Sequence, residues 1–204
     1  MSVVIGLTGP IGCGKSTIAA HLATRGGLII DADAQARIVT SPGRPTLAAI
    51  RARFGDAVFD DRDELDRSAL AAVVFDDAAA LMDLEAIVHP AVRLEVEARL
   101  ASPAAEAAPF SVVEAIRLVE GGLAARCTEV WLVACDRPTQ RARLRQRDMD
   151  PADADRRIAA QGDITERTAP AATHILRTDG ALDDVLAMTD ELLQVALERA
   201  RPGV

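Results

Sequence analysis

The sequence is poor in the residues that several large functional classes need. Among its 204 residues there is no tyrosine, aromatic side chains make up 2%, and the formal net charge is −8. A nucleic-acid-binding surface needs a basic face and often aromatic stacking platforms, so we expect no nucleic-acid partner. No apolar run reaches the roughly 18 residues of a membrane span, and the N-terminal stretch lacks a signal-peptide pattern. These absences predict a cytoplasmic protein without a membrane partner.

Cysteine is also scarce. The three cysteines, Cys13, Cys127 and Cys135, are odd in number and lack the spacing of metal ligands. The sequence therefore predicts neither a disulfide framework nor a zinc site. Half of the residues are hydrophobic, so a chain of this length can bury a substantial core. We expect a single domain, residues 1–204, with sub-lobes, present as a monomer or a weak homo-oligomer.

Lysine is nearly absent, because Lys15 is the only lysine among 23 basic residues. It stands in residues 9–17, whose Gly-x4-Gly-Lys-Ser pattern is that of a phosphate-binding loop between a strand and a helix. A slim ammonium can fold back over a phosphate where a planar guanidinium cannot. Lys15 is thus predicted to reach the terminal phosphates of ATP, and the Ser16 hydroxyl to bind Mg²⁺. The residues predicted to bind ATP from this loop are Gly9, Ile11, Gly12, Cys13, Gly14, Lys15, Ser16 and Thr17.

Strand and helix patterns around the loop predict an α/β fold, the three-layer P-loop NTPase fold with a five-stranded parallel sheet. The predicted strands are residues 3–8, 28–30, 110–114, 129–135 and 174–176. The gap between the second and third strands is too long for a single crossover helix, so we expect a helical insert there. Its helices are predicted at 46–54, 65–75 and 78–88, with another starting at His89-Pro90. Further helices are predicted at 15–25, 118–126, from Asp150-Pro151, and at 182–199.

Asp31 and Asp33 follow the second strand, which is expected to pair beside the strand of the loop. Alternate residues of an extended segment share a face, so both carboxylates are predicted to point into one site. Asp33 would deprotonate the acceptor hydroxyl, and Asp31 would hold a water on Mg²⁺. The alternative is that such an aspartate caps the next helix.

Residues 137–147 contain five arginines and no acid. Arg143 and Arg147 are four residues apart and are predicted to share a helix face on a lid that neutralises ATP phosphates. The alternative is an ordinary solvated basic face. A GTPase is excluded because its Asn-Lys-x-Asp motif needs a second lysine, and the Leu-Ser-Gly-Gly signature of transporter ATPases is absent. A small P-loop kinase fits better.

The chain resembles the dephospho-coenzyme A kinases over most of its length. The most specific segment is Asp31-Ala32-Asp33 followed by Ala36-Arg37; His89-Pro90, Gln140, Arg143 and Gln161 also match in order. The resemblance implies Mg²⁺- and ATP-dependent phosphorylation of the 3′-hydroxyl of dephospho-coenzyme A. It implies catalytic roles for Asp33, Lys15 and Arg143, ATP contacts from Arg143 and Arg147, and acceptor contacts from Asp33, Arg37, His89 and Glu120. It also implies a core (1–35, 108–136 and 166–204), an acceptor-binding insert (36–107) and a lid (137–165).

The sequence departs from the family pattern in residues 114–120, where a proline is missing and Arg117 has entered, and at Cys13, where a serine is more usual. His89 could instead cap a helix before Pro90. Two other functions stay open from the residues: a P-loop kinase acting on a nucleoside monophosphate or small alcohol, and a nucleotide-dependent regulatory module without turnover.

Overall fold

In the computed structural model, which describes residues 2–75 and 77–200, the chain divides into two compact units. Residues up to 30 and from 100 onward form one, here called the sheet unit, and residues 31–99 form the other, the helical unit. The strands are β1 (Val3–Thr8), β2 (Leu28–Asp31), β3 (Phe110–Glu114), β4 (Glu129–Ala134) and β5 (His174–Arg177). The helices are α1 (Lys15–Thr24), α2 (Ala32–Val39), α3 (Pro45–Phe54), α4 (Arg67–Phe75), α5 (Ala78–Leu100), α6 (Pro103–Ala107), α7 (Arg137–Arg145), α8 (Pro151–Gln161), α9 (Ile164–Thr168) and α10 (Leu182–Ala200).

The five strands form a parallel sheet in the order β2-β3-β1-β4-β5, which confirms the predicted fold class. β1 is hydrogen-bonded to β3 on one side and to β4 on the other. The prediction that the second strand pairs beside β1 is therefore wrong. Both edges of β1 are occupied by strands that come much later in the chain, so β2 lies one position further out.

The central strands are buried because helices cover both faces of such a sheet. All six residues of β4 are buried, and Trp131 in its middle is fully buried. The indole of Trp131 donates from Nε1 to Glu129 Oε2 at 2.8 Å, which satisfies the only polar atom of the ring. This core supports the strand ends, from which the loops of the site leave.

The helical unit has a small core of its own, formed by Ile50, Val58 and Leu70 with partly buried neighbours. The prediction of a new helix at His89-Pro90 is wrong, because Pro90 lies inside α5, a single helix of 23 residues. A proline inside a helix costs about 3 kcal/mol, and burial of Val92 and Val96 beyond it offsets that cost. His89 therefore lies inside α5 and does not cap a helix.

Three smaller expectations also fail. Residues 118–126 were expected to be helical, but the structure has only a 3₁₀ turn over Leu123–Arg126 there. Helix α2 begins directly after β2, where the sequence pattern predicts an extended segment. The sequence predicted no disulfide framework, but Cys13 and Cys135 form a disulfide with Cα atoms 5.2 Å apart. They follow β1 and β4, neighbouring parallel strands that end at the same edge of the sheet, and a sequence separation of 122 residues hides this proximity.

No helix of the described part of the chain is long and apolar enough to cross a membrane.

Candidate active site

The loop between β1 and α1 takes a path that requires glycine at two positions. Gly9 leaves the strand with φ 137°, and a Cβ placed on it would lie 2.0 Å from the carbonyl oxygen of Val133. Gly14 has φ 93° and is the N-cap of α1. Only glycine adopts such conformations at little cost, and the loop amides and the helix N-terminus together suit an anion.

Lys15, the first residue of α1, is 8% exposed and held against the loop. Its ammonium donates to the carbonyl oxygens of Gly9 at 2.7 Å and Pro10 at 3.1 Å. The lysine predicted to contact phosphate is thus anchored by the same loop whose amides would bind that phosphate.

The hydroxyl of Ser16 donates to Glu114 Oε1 at 3.1 Å. Glu114 ends β3, which pairs directly with β1, so the strand order brings this carboxylate to the first turn of α1. Mg²⁺ prefers oxygen ligands and in kinases commonly takes a hydroxyl, a carboxylate and substrate phosphates, so the pair fits this ion. Sequence reasoning missed this role for Glu114; an acid at the end of the strand beside the loop strand is the signal that could have found it.

Two glutamines hold the backbone of Ile11 at the tip of the loop. Gln140 of α7 donates from Nε2 to the Ile11 carbonyl at 2.6 Å, and Gln161 of α8 accepts from the Ile11 N–H at 2.8 Å. The N–H of Ile11, predicted to bind ATP, is therefore engaged by Gln161. These glutamines position the loop from the segment predicted to be a lid.

A cavity of about 450 Å³ lies in the sheet unit beside the loop. It is lined by Gly14, Thr17, Ile18, Arg143, Gln146, Arg147, Thr178, Gly180, Leu182 and Val185. Arg143 donates to Thr178 Oγ1 at 2.9 Å and to the Thr178 carbonyl, so this arginine is anchored at the cavity wall. Arg147 lies beyond the last residue of α7, so the prediction of a shared helix face is wrong. Both arginines nonetheless line the same cavity.

Asp31 and Asp33 have different surroundings from those predicted. Asp31 caps α2, because its Oδ1 accepts from the N–H groups of Asp33 at 2.8 Å and Ala34 at 3.1 Å. Asp33 is an exposed residue in the first turn of that helix, not part of an extended segment. The reasoning from alternate residues of a strand is therefore wrong, and the capping alternative describes Asp31.

The helical unit contains a cavity of about 230 Å³ with an apolar wall and a charged rim. It is lined by Ala36, Thr40, Ile50, Leu65, Arg67, Leu70, Leu84, Glu85, Val88 and His89. Arg67 donates from Nη2 to Thr40 Oγ1 at 2.8 Å, which fixes its guanidinium at this wall. His89 thus lines a cavity, and its predicted acceptor role stays a prediction, whereas Arg37 is exposed in the last turn of α2.

Glu120, the remaining predicted acceptor residue, is exposed and lies 3.4 Å from the guanidinium of Arg167, within the sheet unit. Asp136 caps α7 by accepting from the Thr139 N–H at 2.8 Å, and this hydrogen bond lowers the pKa of the carboxyl.

The parallel sheet, the glycine-lysine-serine loop and the arginine-lined cavity define a kinase of the P-loop fold. A family model described as "Dephospho-CoA kinase" matches residues 3–184. A relative of that name from Anaeromyxobacter dehalogenans (strain 2CP-C) is 44% identical over 191 residues, which are 93% of this chain and 90% of the relative. The chain belongs to the dephospho-CoA kinase family.

Solved structures agree in fold. "TT1252 from Thermus thermophilus" has a TM-score of 0.75 at 32% identity and covers 98% of this chain and 99% of its own. "Dephospho-CoA kinase from Campylobacter jejuni" has a TM-score of 0.69 at 24% identity and covers 98% and 99%.

Proposed function

We propose that the protein transfers the γ-phosphoryl group of ATP to the 3′-hydroxyl of dephospho-coenzyme A, giving coenzyme A and ADP. The observation that carries the proposal is the family match, which includes both the Lys15 loop and Asp33. Two features of the structure also support the proposal: the loop anchors Lys15, and two arginines line the cavity beside the loop. The proposed reaction occurs in the cytoplasm, and the division into a core (1–35, 108–136 and 166–204), an insert (36–107) and a lid (137–165) remains part of the proposal.

The sheet unit supplies the donor half of this reaction. The loop amides and Lys15 bind the β- and γ-phosphates, where positive charge stabilises the transition state. Ile18, Leu182 and Val185 offer an apolar surface for the purine in the 450 Å³ cavity, and Arg143 and Arg147 contribute charge at its wall. Arg143 is already fixed by Thr178, so little ordering is needed when the nucleotide binds.

Ser16 and Glu114 are the residues that would hold Mg²⁺, since they offer a hydroxyl and a carboxylate at the first turn of α1. When bound, the ion neutralises negative charge on the phosphate oxygens. Asp31 is also predicted to order a water on the ion, and this stays a prediction. Its Oδ1 already accepts hydrogen bonds as the cap of α2.

The helical unit supplies the acceptor half. Asp33 accepts the proton of the 3′-hydroxyl as that oxygen forms its bond to phosphorus. Arg67 and His89 line a cavity whose apolar wall suits the uncharged part of a long acceptor and whose guanidinium suits its phosphates. Arg37 and Glu120 are retained as proposed acceptor contacts.

An acceptor panel tests the proposal. The protein is incubated with ATP and Mg²⁺ and, in turn, dephospho-coenzyme A, AMP, CMP or shikimate, while ADP release is followed and products are identified by mass spectrometry. We expect kcat/KM for dephospho-coenzyme A to exceed that of every other acceptor by 100-fold or more, on the scale set by lost polar contacts. The Lys15→Ala variant, purified identically, controls for contaminating kinases.

A preference for AMP, CMP or shikimate would contradict the proposed acceptor. Nucleotide binding without ADP release under any acceptor would contradict enzymatic turnover as a whole. Size-exclusion chromatography of the same preparation tests the expected monomer or weak homo-oligomer.

A further inference from the structure

The disulfide joins the phosphate-binding loop to the end of a neighbouring strand. Cys13 stands between Gly12 and Gly14 within the loop, and Cys135 follows β4 directly. The Cys13 side chain is fully buried in the core of the sheet unit, and Cys135 packs against that core from a half-buried position. The bond therefore lies beneath the loop and holds its backbone from the side of the protein interior.

We propose that Cys13 and Cys135 are a reversible redox pair that controls nucleotide binding: the disulfide holds the phosphate-binding loop in place, and its reduction weakens the binding of ATP. The identity of the nucleotide rests on the proposed function. The existence of the redox pair does not.

Side chains from outside the loop hold its backbone by single hydrogen bonds, so the loss of a covalent tie matters. Gln140 and Gln161 hold Ile11, and Thr178 donates from Oγ1 to the Cys13 carbonyl at 2.8 Å. These contacts are single hydrogen bonds, whereas the disulfide is the covalent tie of the loop to β4. Donors to a phosphate act only within about 2.7–3.1 Å, so a small displacement of the loop lowers their contribution.

The two sulfurs differ in burial, and this difference decides which of them an external thiol attacks. Cys135 lines a cavity of about 280 Å³ together with Pro10, Gln140, Ile158 and Gln161, among others. A small thiol can thus approach Cys135, while burial of Cys13 prevents direct attack there. Exchange at Cys135 Sγ therefore makes Cys13 Sγ the leaving group.

The reductant is a dithiol, and the exchange proceeds in two steps. One thiolate of the dithiol bonds to Cys135 Sγ, the Cys13–Cys135 bond breaks, and its electron pair leaves on Cys13 Sγ, which takes a proton. The second thiolate of the dithiol then displaces Cys135 Sγ, which also takes a proton. The protein gains two electrons and two protons, and the dithiol becomes a cyclic disulfide. Exchange with a small disulfide reverses the process.

The third cysteine provides an internal control. Cys127 is the free cysteine of the structure, and its Sγ donates to the Leu123 carbonyl at 3.4 Å. Burial raises the pKa of the Cys127 thiol to about 12, so it stays protonated and unreactive near neutral pH.

The test compares the full chain after mild oxidation with a small disulfide and after reduction with dithiothreitol. Thiols are titrated in denaturant under non-reducing conditions, thermal unfolding is followed, and ATP affinity is measured by calorimetry. We expect one thiol in the oxidised and three in the reduced protein. Because the bond closes a loop of 122 residues, we expect Tm to fall by about 10 °C on reduction. The Kd for ATP should rise by about 5- to 10-fold.

Two variants complete the design. Cys135→Ser should show the Tm of the reduced protein under both conditions, whereas Cys127→Ser should keep the full redox response. Three thiols after oxidation, an equal Tm in the two states, or an equal Kd for ATP in the two states would each overturn the proposal. Thiol counts, Tm and nucleotide affinity need no turnover, so a failure of the proposed kinase reaction would leave these results interpretable.

Discussion

The sheet unit and the helical unit hold their polar side chains in different ways. In the sheet unit, Lys15, Gln140 and Thr178 are buried and hydrogen-bonded to carbonyl oxygens of one short loop. In the helical unit, exposed ion pairs such as Arg53 with Asp83 lie on the surface, and such pairs contribute about 0–1 kcal/mol. Satisfied buried polar networks rigidify a site, whereas exposed charges tolerate substitution. We therefore expect donor-site variants to affect nucleotide binding and the fold together, and acceptor-site variants to change kcat or the KM of the acceptor while Tm stays near wild type.

The largest effect is expected in the buried network. Lys15→Ala should lower kcat/KM for ATP by about 10³-fold, because a charge directed at the phosphates is lost. Lys15→Arg should restore little, since the guanidinium is too wide for the loop. Steady-state kinetics measure both, with Arg145→Ala, an exposed arginine at the end of α7, as the control. If Lys15→Ala kept more than a tenth of the wild-type kcat/KM for ATP, the predicted importance of the buried donor site would be wrong.

Asp33→Asn tests the acceptor side with little change in shape. We expect kcat to fall by about 100-fold or more, because an amide cannot take the proton of the acceptor hydroxyl. KM for ATP and Tm should stay near wild type, since Asp33 is exposed. The matched control is Asp31→Asn, which should stay within about threefold because asparagine caps a helix as well as aspartate. A tenfold loss in Asp31→Asn would instead favour its predicted role at Mg²⁺, and normal turnover of Asp33→Asn would remove Asp33 from catalysis.

Arg67→Ala tests whether the cavity of the helical unit binds the acceptor. Removing the guanidinium from the cavity wall should raise KM for dephospho-coenzyme A by about 10-fold, the scale of one charge-assisted hydrogen bond. KM for ATP should not change. Arg53→Ala, which removes an exposed ion pair of the same unit, should stay within about twofold. Equal effects of the two variants on acceptor KM would show that the cavity is not used.

The smallest effect concerns a partly exposed charge cluster of the sheet unit, formed by His21, Arg25 and Asp190. The Arg25 guanidinium hydrogen-bonds Asp190 and, with a smaller contribution from His21, lowers the pKa of that carboxyl. A depressed folded-state pKa stabilises the fold above the ordinary pKa of aspartate, and this contribution is lost as pH falls through the depressed value. Asp190→Asn should therefore lower Tm by about 1–3 °C at pH 7, and the difference should disappear as pH falls through the lowered pKa of Asp190. A difference that persists at low pH would show that packing, not charge, is responsible.

Local patterns predicted much of the fold. The five strands lie where their apolar runs predict them, and the N-terminus of α8 has Asp150 as its cap and Pro151 after it. The prediction that a proline marks the start of a helix failed at Pro90, because burial of the residues beyond it outweighs a broken hydrogen bond. A local prediction also failed at Asp31, where a side chain that accepts two backbone N–H groups starts a helix in place of an extended segment.

The site was predicted less completely, for a related reason. Lys15 and Ser16 belong to a contiguous motif, so the sequence alone identifies them. Glu114 was missed because it lies 98 residues from Ser16 in the chain, and only the pairing of β3 with β1 brings the two side chains together. The arginines of 137–147 stand out in the sequence as a charged group, but the anchor of Arg143 on Thr178 depends on where β5 ends.

By itself, the sequence determined the phosphate-binding loop, the strands and the presence of a helical insert, because each depends on residues within a few positions of one another. Tertiary structure alone decided the strand order, the pairing of Ser16 with Glu114, the two glutamines on Ile11 and the Cys13–Cys135 disulfide. These contacts join residues about 100 or more positions apart. They form only when the packed sheet brings the ends of its strands to one edge. Patterns of neighbouring residues in the sequence cannot predict such contacts.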